Sequence, residues 1–151
     1  MATTRNMNPY SAPQARDKVS KSYRVLVVHA KKPGDQAKLQ TGRFVDIDRS
    51  DGGSELLALQ NIVGGLIEVA NPQDTLGLPR LDFYCNENGR SLGLPKNDAV
   101  SYMYGSLIIG DVAFACGIDD AGEVVGIDDV AEMRLLEWCA VIGVVIIPAT
   151  V

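Results

Sequence analysis

The 151-residue chain carries 14 Lys/Arg against 19 Asp/Glu, a formal net charge of −5, and 46% of its residues are hydrophobic. This suffices for one domain with a real core. The three cysteines, Cys85, Cys116 and Cys139, form no Cys-x-x-Cys pair and so support neither a zinc knuckle nor a redox motif. The most apolar stretch, residues 140–151, is about half of the ~20 residues a membrane span needs. It is also interrupted by Gly143 and Pro148, and it reads as a buried strand.

Residues 1–22 contain Pro9 and Pro13 and little apolar clustering. They read as a mobile basic tail, ahead of a single globular domain over 23–151. No apolar segment precedes a cleavage-like site, so a secretory signal is not expected. Residues 23–30 are a nearly continuous apolar run, which predicts a strand inside a sheet. Pro33 and Gly34 make residues 31–35 a turn. Residues 43–48 alternate, with Val45 and Ile47 on one face, and predict a half-exposed strand paired with the first.

Ser54 is an expected N-cap, and Glu55 suits the positive end of a helix dipole. Leu56, Leu59 and Val63 then define one apolar helical face. Gly64 and Gly65 end this helix, and residues 66–69 follow as a strand. Leu81, Phe83 and Cys85 alternate with Asp82 and Tyr84 in a further strand. Residues 86–89 form a tight turn with the hairpin dipeptide Asn88, Gly89, and Ser91 and Leu92 begin a short return strand. Asn97 caps a short helix over 98–104 that Gly105 stops. Gly110 and Asp111 break an apolar run, so a bend precedes a buried strand from Val112. Residues 119–122 are a turn and 123–127 an extended segment. Asp128 caps a last helix over 129–142, expected to be largely buried. Gly143 stops it, and a β-branched strand follows over 144–147. Strands and helices mix without a strict βαβ repeat. The expected class is α+β: a single small domain whose mainly antiparallel or mixed sheet has two main helices and one short helix packed on one face.

Charge is unevenly placed. Residues 1–43 carry nine Lys/Arg and two Asp (+7), and residues 44–151 carry five Lys/Arg and 17 Asp/Glu (−12). A basic arm on an acidic body is one route to nucleic acid. No aromatic residues interleave its cations in a stacking pattern, so a solvated tail is the preferred reading. His29 is the only histidine, which removes any multi-histidine metal site; it reads as a structural or surface residue. The acidic group around Asp119 and Asp128 lacks the ligand spacing of an EF-hand. No metal and no cofactor is expected.

Four pieces recur together: Leu56, Leu59, Gln60, Val63, Gly64, Gly65, Ile67 and Glu68; then Asn86, Glu87 and Gly89; then Gly93, Leu94, Pro95, Asn97 and Ala99; then Gly110 and Asp111. In this order they resemble a small domain-of-unknown-function family, number 3846, over residues 54–116. That family is found largely in bacteriophages, plasmids and other mobile elements. The resemblance implies a mobile-element accessory protein in the host cytoplasm and carries no catalytic residue with it. The chain departs from the pattern by its long N-terminal tail, by a longer 71–80 loop and by the helix and strand after residue 127.

The candidate ligand-binding residues are Gly64, Gly65, Glu68, Asn86, Glu87, Asn97 and Asp111. Each has a plainer structural reading, as a helix stop, strand carboxylate, turn former or bend. The glycine pair ends a helix, where the dipole has the wrong sign for an anion. The expected function is a non-enzymatic binding protein for a host protein or a small nucleotide-like molecule. The composition leaves a homo-oligomer open. A hydrolase or transferase using Glu68, Glu87 and Asp111 is the alternative, and it requires those carboxylates to converge. Nucleic-acid binding or DNA mimicry is the weaker alternative.

Overall fold

In the computed structural model, residues 22–35, 38–49, 54–71, 75–78 and 80–148 are described. The proposed tail, residues 1–21, lies outside them, as do the side chains of Ser54 and Glu55. The elements in order are β1 (Ser22–Val28), β2 (Thr41–Asp48), α1 (Ser54–Val63), β3 (Ile67–Ala70), a 3₁₀ turn (Thr75–Gly77), β4 (Asp82–Asn86), α2 (Asp98–Tyr104), β5 (Val112–Ala115), α3 (Asp129–Ile142) and β6 (Val145–Ile146). The strands form one six-stranded sheet in the order β3-β4-β5-β1-β2-β6. Its pairings are antiparallel except for β2 with β6, which is parallel.

The expected α+β class and mixed sheet are present, and β1 lies inside the sheet between β5 and β2. The placement of all helices on one face is corrected. Tyr23, Val25 and Val27 of β1 share a core with Leu59 of α1, and Ala58 and Ile62 pack against it. Leu26 and Val28 share the opposite core with Ala99 and Val100 of α2 and with Leu135 and Cys139 of α3. The reason lies in the strands. From Val25 onward β1 is buried at every residue, and β4 and β5 are buried throughout, so each needs a helical layer on both sides. Within the second core, Phe83, Phe114 and Trp138 stack edge-to-face in sequence, with centroids 5.6 and 5.7 Å apart.

Local signals set the helix ends. Gly64 takes a φ of 83° and donates to the Gln60 carbonyl, closing α1. The Asn97 side chain accepts from Val100 N, and Gly105 ends α2 at φ 81°. Asp128 accepts from Ala131 N, and Gly143 ends α3 at φ 92°. Arg24 of β1 joins Glu132 of α3 at 3.0 Å and Asp46 of β2 at 3.2 Å.

Two further expectations are corrected. Residues 91–92 form no return strand; Leu92 N donates to Asn88 O and Leu94 N to Gly89 O in successive turns. Both edges of β4 are already paired, with β3 and with β5, so no ladder is open to a returning chain. Nor is α3 largely buried. It buries Ala131, Leu135, Trp138 and Cys139, while Val130, Met133 and Val141 stand in solvent. One sheet surface covers only one stripe of a helix.

Asn97 is fully buried and ties four segments together. Its Nδ2 donates to Val28 O and Gly110 O, both at 3.0 Å. Its Oδ1 accepts from Gln40 Nε2 at 2.6 Å and from Val100 N at 3.3 Å. Removing the carboxamide strands several buried partners, each at a cost of about 1–3 kcal/mol. Asn97→Ala is therefore expected to lower unfolding stability by roughly 3 kcal/mol or more, measured by urea denaturation. A loss under about 1 kcal/mol would contradict this central role.

Candidate functional site

A cleft opens where β1 ends and β2 begins. Its lining includes His29, Lys31, Lys32, Asp35, Lys38, Arg43 and Asp111, around about 430 Å³. The 31–35 segment folds as the expected turn, with Asp35 N donating to Lys32 O at 3.0 Å. Its two lysines, Lys31 and Lys32, line the cleft. The charged lining is four cations against two carboxylates, in a chain with a net charge of −5.

A polar chain runs through the floor. Asp111 Oδ1 accepts from Ala30 N at 2.9 Å, and Oδ2 meets His29 Nδ1 at 2.9 Å. Arg43 Nε lies 3.1 Å from His29 Nε2. A guanidinium only donates, so Nε2 accepts and the ring proton sits on Nδ1, directed at Asp111. Behind the ring, Gln40 Nε2 donates to His29 O at 2.9 Å and also to Asn97 Oδ1. Gln40 Oε1 accepts from Ala99 N at 3.1 Å. The buried carboxamides thus hold the backbone that presents His29. Lys38 pairs with Asp35 at 3.6 Å on the rim.

The residues singled out from sequence fall into two groups. Tyr84 pairs with Ala113 and Val28 with Val112, so Asn86, Asp111 and His29 all lie at the same end of the sheet. Asp111 lines the cationic cleft, and Asn97 supports it from the core. Gly64, Gly65 and Asn86 form the second group. Asn86 Nδ2 donates to Val63 O at 3.0 Å, and a side chain at Gly65 would come within 2.9 Å of that nitrogen. Gly64 and Gly65 line a separate shallow depression with Gln60, Asn61, Leu57 and Leu66. Glu87 N donates to Leu66 O, joining the turn to β3. The side chains of Glu68 and Glu87 are exposed, and neither lines the cleft that holds Asp111.

Sequence reasoning passed over His29, Lys31, Lys32, Lys38 and Arg43 as a site. The available signal was the +7 excess before residue 44, together with a lone histidine two residues ahead of a lysine pair. Among the described residues, no group of three or more His, Cys, Asp or Glu is placed to hold a metal ion. No helix among them is long and apolar enough to cross a membrane.

These features define a small α+β protein with a two-faced mixed sheet and a cationic cleft at one sheet end. The chain belongs to the domain of unknown function family DUF3846, whose model matches residues 24–139. The match reaches well beyond 54–116 and takes in β1, β2 and most of α3, so that helix is part of the family domain. A search of curated proteins found no match. Among solved structures, the crystal structure of the small RNA methyltransferase HEN1 is similar, with a TM-score of 0.50 and 13% identity. The likeness covers 85% of this chain and 18% of that one, and at this identity it concerns the fold alone.

The cysteines offer no activated nucleophile. Burial, and then the nearby Glu68 charge, push the Cys85 thiol up to about 11. Burial pushes Cys139 up to about 11 and also raises Cys116. The thiolate is the reactive form. Native protein at neutral pH is expected to label slowly with a thiol reagent, with Cys85 and Cys139 gaining reactivity toward pH 11, above the ordinary value of 9.0. Rapid labelling of either at neutral pH, followed by peptide mapping, would contradict this.

Proposed function

We propose that the protein is a non-enzymatic binding protein whose ligand is a small anion-bearing molecule, received in the cleft of His29, Arg43 and Asp111. The observation that carries this reading is the convergence of Lys31, Lys32, Lys38 and Arg43 on one concavity of an otherwise acidic chain. Its volume of about 430 Å³ falls within the roughly 300–1,000 Å³ of small-molecule sites. Arg43 offers a planar fork suited to phosphate or carboxylate oxygens, and the lysines add mobile point charges. Asp111 neutralises part of this charge while fixing His29, which favours a shaped anion over indiscriminate binding. The mobile-element setting and a host-cytoplasmic location belong to the same proposal. They are supported by the motif resemblance and by three cysteines kept free.

Pyrophosphate is a suitable probe. Isothermal titration of the full chain is expected to show saturable binding that weakens as salt rises. Arg43→Ala should weaken it by about tenfold or more, the scale of one charge-assisted contact. Lys96→Ala, a cation outside the cleft, should leave it unchanged. Equal effects of the two substitutions, or no binding by the parent chain, would overturn the reading.

A further inference from the structure

We infer that the anion received in this cleft is the phosphate of a nucleoside phosphate, and that its base lies against Tyr102. This rests on the anion-binding reading above and specifies the rest of the ligand. The cationic cleft does not end at its lysines. A second concavity of about 390 Å³ continues from it, and Lys31, Lys38 and Leu39 line both. Beyond that shared wall the lining changes in character, to Tyr102 and Asp98 of α2 and to Ile142 at the end of α3.

Exposure singles out the aromatic residue. Tyr102 is 79% exposed and Leu39 is 66% exposed, and both line this one compartment. The other aromatic residue near the end of α2, Tyr104, packs edge-to-face on Phe83 at 5.2 Å and lines neither concavity. A ring left in solvent beside an aliphatic side chain is a platform for a flat, partly apolar group. Bases satisfy this requirement because each has a π-face.

Charge then orders the ligand along the two compartments. Lys31, Lys32 and Arg43 surround the first, where a phosphate is stabilised. Asp98 stands in the second, its carboxylate 3.8 Å from Lys96 Nζ. It is the one acceptor-only side chain of that lining, so a hydrogen-bond donor is favoured beside it. A neutral base with an exocyclic amino group would donate to that carboxylate, as adenine, guanine and cytosine are able to do. One cationic compartment and one aromatic compartment match one phosphate end and one base, so the ligand is a single nucleotide rather than a strand.

Titration calorimetry of the full chain with ADP, pyrophosphate, adenosine and a short single-stranded DNA separates the outcomes. ADP is expected to bind about tenfold or more tightly than pyrophosphate, the scale of stacking one base on one aromatic ring. Tyr102→Ala should remove that gain and leave pyrophosphate binding as it was, and Tyr102→Phe should restore it. An unchanged melting transition in both variants is expected, since the side chain is exposed. Equal affinity for ADP and pyrophosphate overturns the nucleotide assignment while the anion cleft stands. Tighter binding of the DNA than of ADP overturns it in favour of a strand. Binding of none of these overturns both readings.

Discussion

The arrangement of the molecule depends on a single buried carboxamide. Asn97 reaches the end of β1, the bend before β5, the residue leading into β2 and the first turn of α2. A buried polar side chain is tolerated only when its hydrogen-bonding capacity is met, and here the partners come from four separate stretches of chain. The consequence is geometric. Val28, Gly110 and Gln40 are held within one hydrogen-bond radius of Asn97, and each adjoins a residue that lines the cleft. His29 follows Val28, Asp111 follows Gly110, and Thr41 follows Gln40. A device that caps a seven-residue helix therefore also fixes the floor of the candidate site.

From that floor the electrostatics follow. Asp111 is the only carboxylate on the polar chain of the floor, and it engages His29 and a backbone N–H together. Arg43 approaches the same ring from the other nitrogen. The imidazole thus bridges a carboxylate and a guanidinium and is held in one orientation. The remaining cations are Lys31, Lys32 and Lys38, of which Lys32 and Lys38 are exposed. The acidic residues are largely elsewhere, so the cleft is a local reversal of the protein's overall sign.

Much of the fold was legible because it is written locally. Asn97, Asp128, Gly64, Gly105 and Gly143 mark helix ends by chemistry that needs no tertiary partner. The strands 22–28, 82–86 and 112–115 announce themselves by unbroken or alternating apolar residues. What was not legible is what depends on partners distant in sequence. The return strand at residues 91–92 fails because β4 has no free edge, a fact decided by β5. The division of helices between two faces depends on which strands become internal. The apolar outer stripe of α3 looked like a buried one because a helix cannot report where its neighbours stop. The cleft joins His29, Arg43 and Asp111, separated by 14 and 82 positions along the chain from His29. A motif scan sees a strand end, a strand residue and a bend, and no pattern connects them. Asp111 was noticed as an interruption of an apolar run, and Asn97 as a cap. Each had more than the local role that made it visible.

The central claim is that the core carboxamides fix His29 in one state between Asp111 and Arg43. Nitrogen-15 NMR of the imidazole tests it most directly, because His29 is the only histidine and its two ring nitrogens give the only such signals. With the ring neutral, the parent protein should show protonated Nδ1 and unprotonated Nε2. Gln40→Ala, which releases the His29 carbonyl, should shift the ring toward a mixture of tautomers. A parent spectrum dominated by protonated Nε2, or one that is unaltered by Gln40→Ala, would contradict the claim.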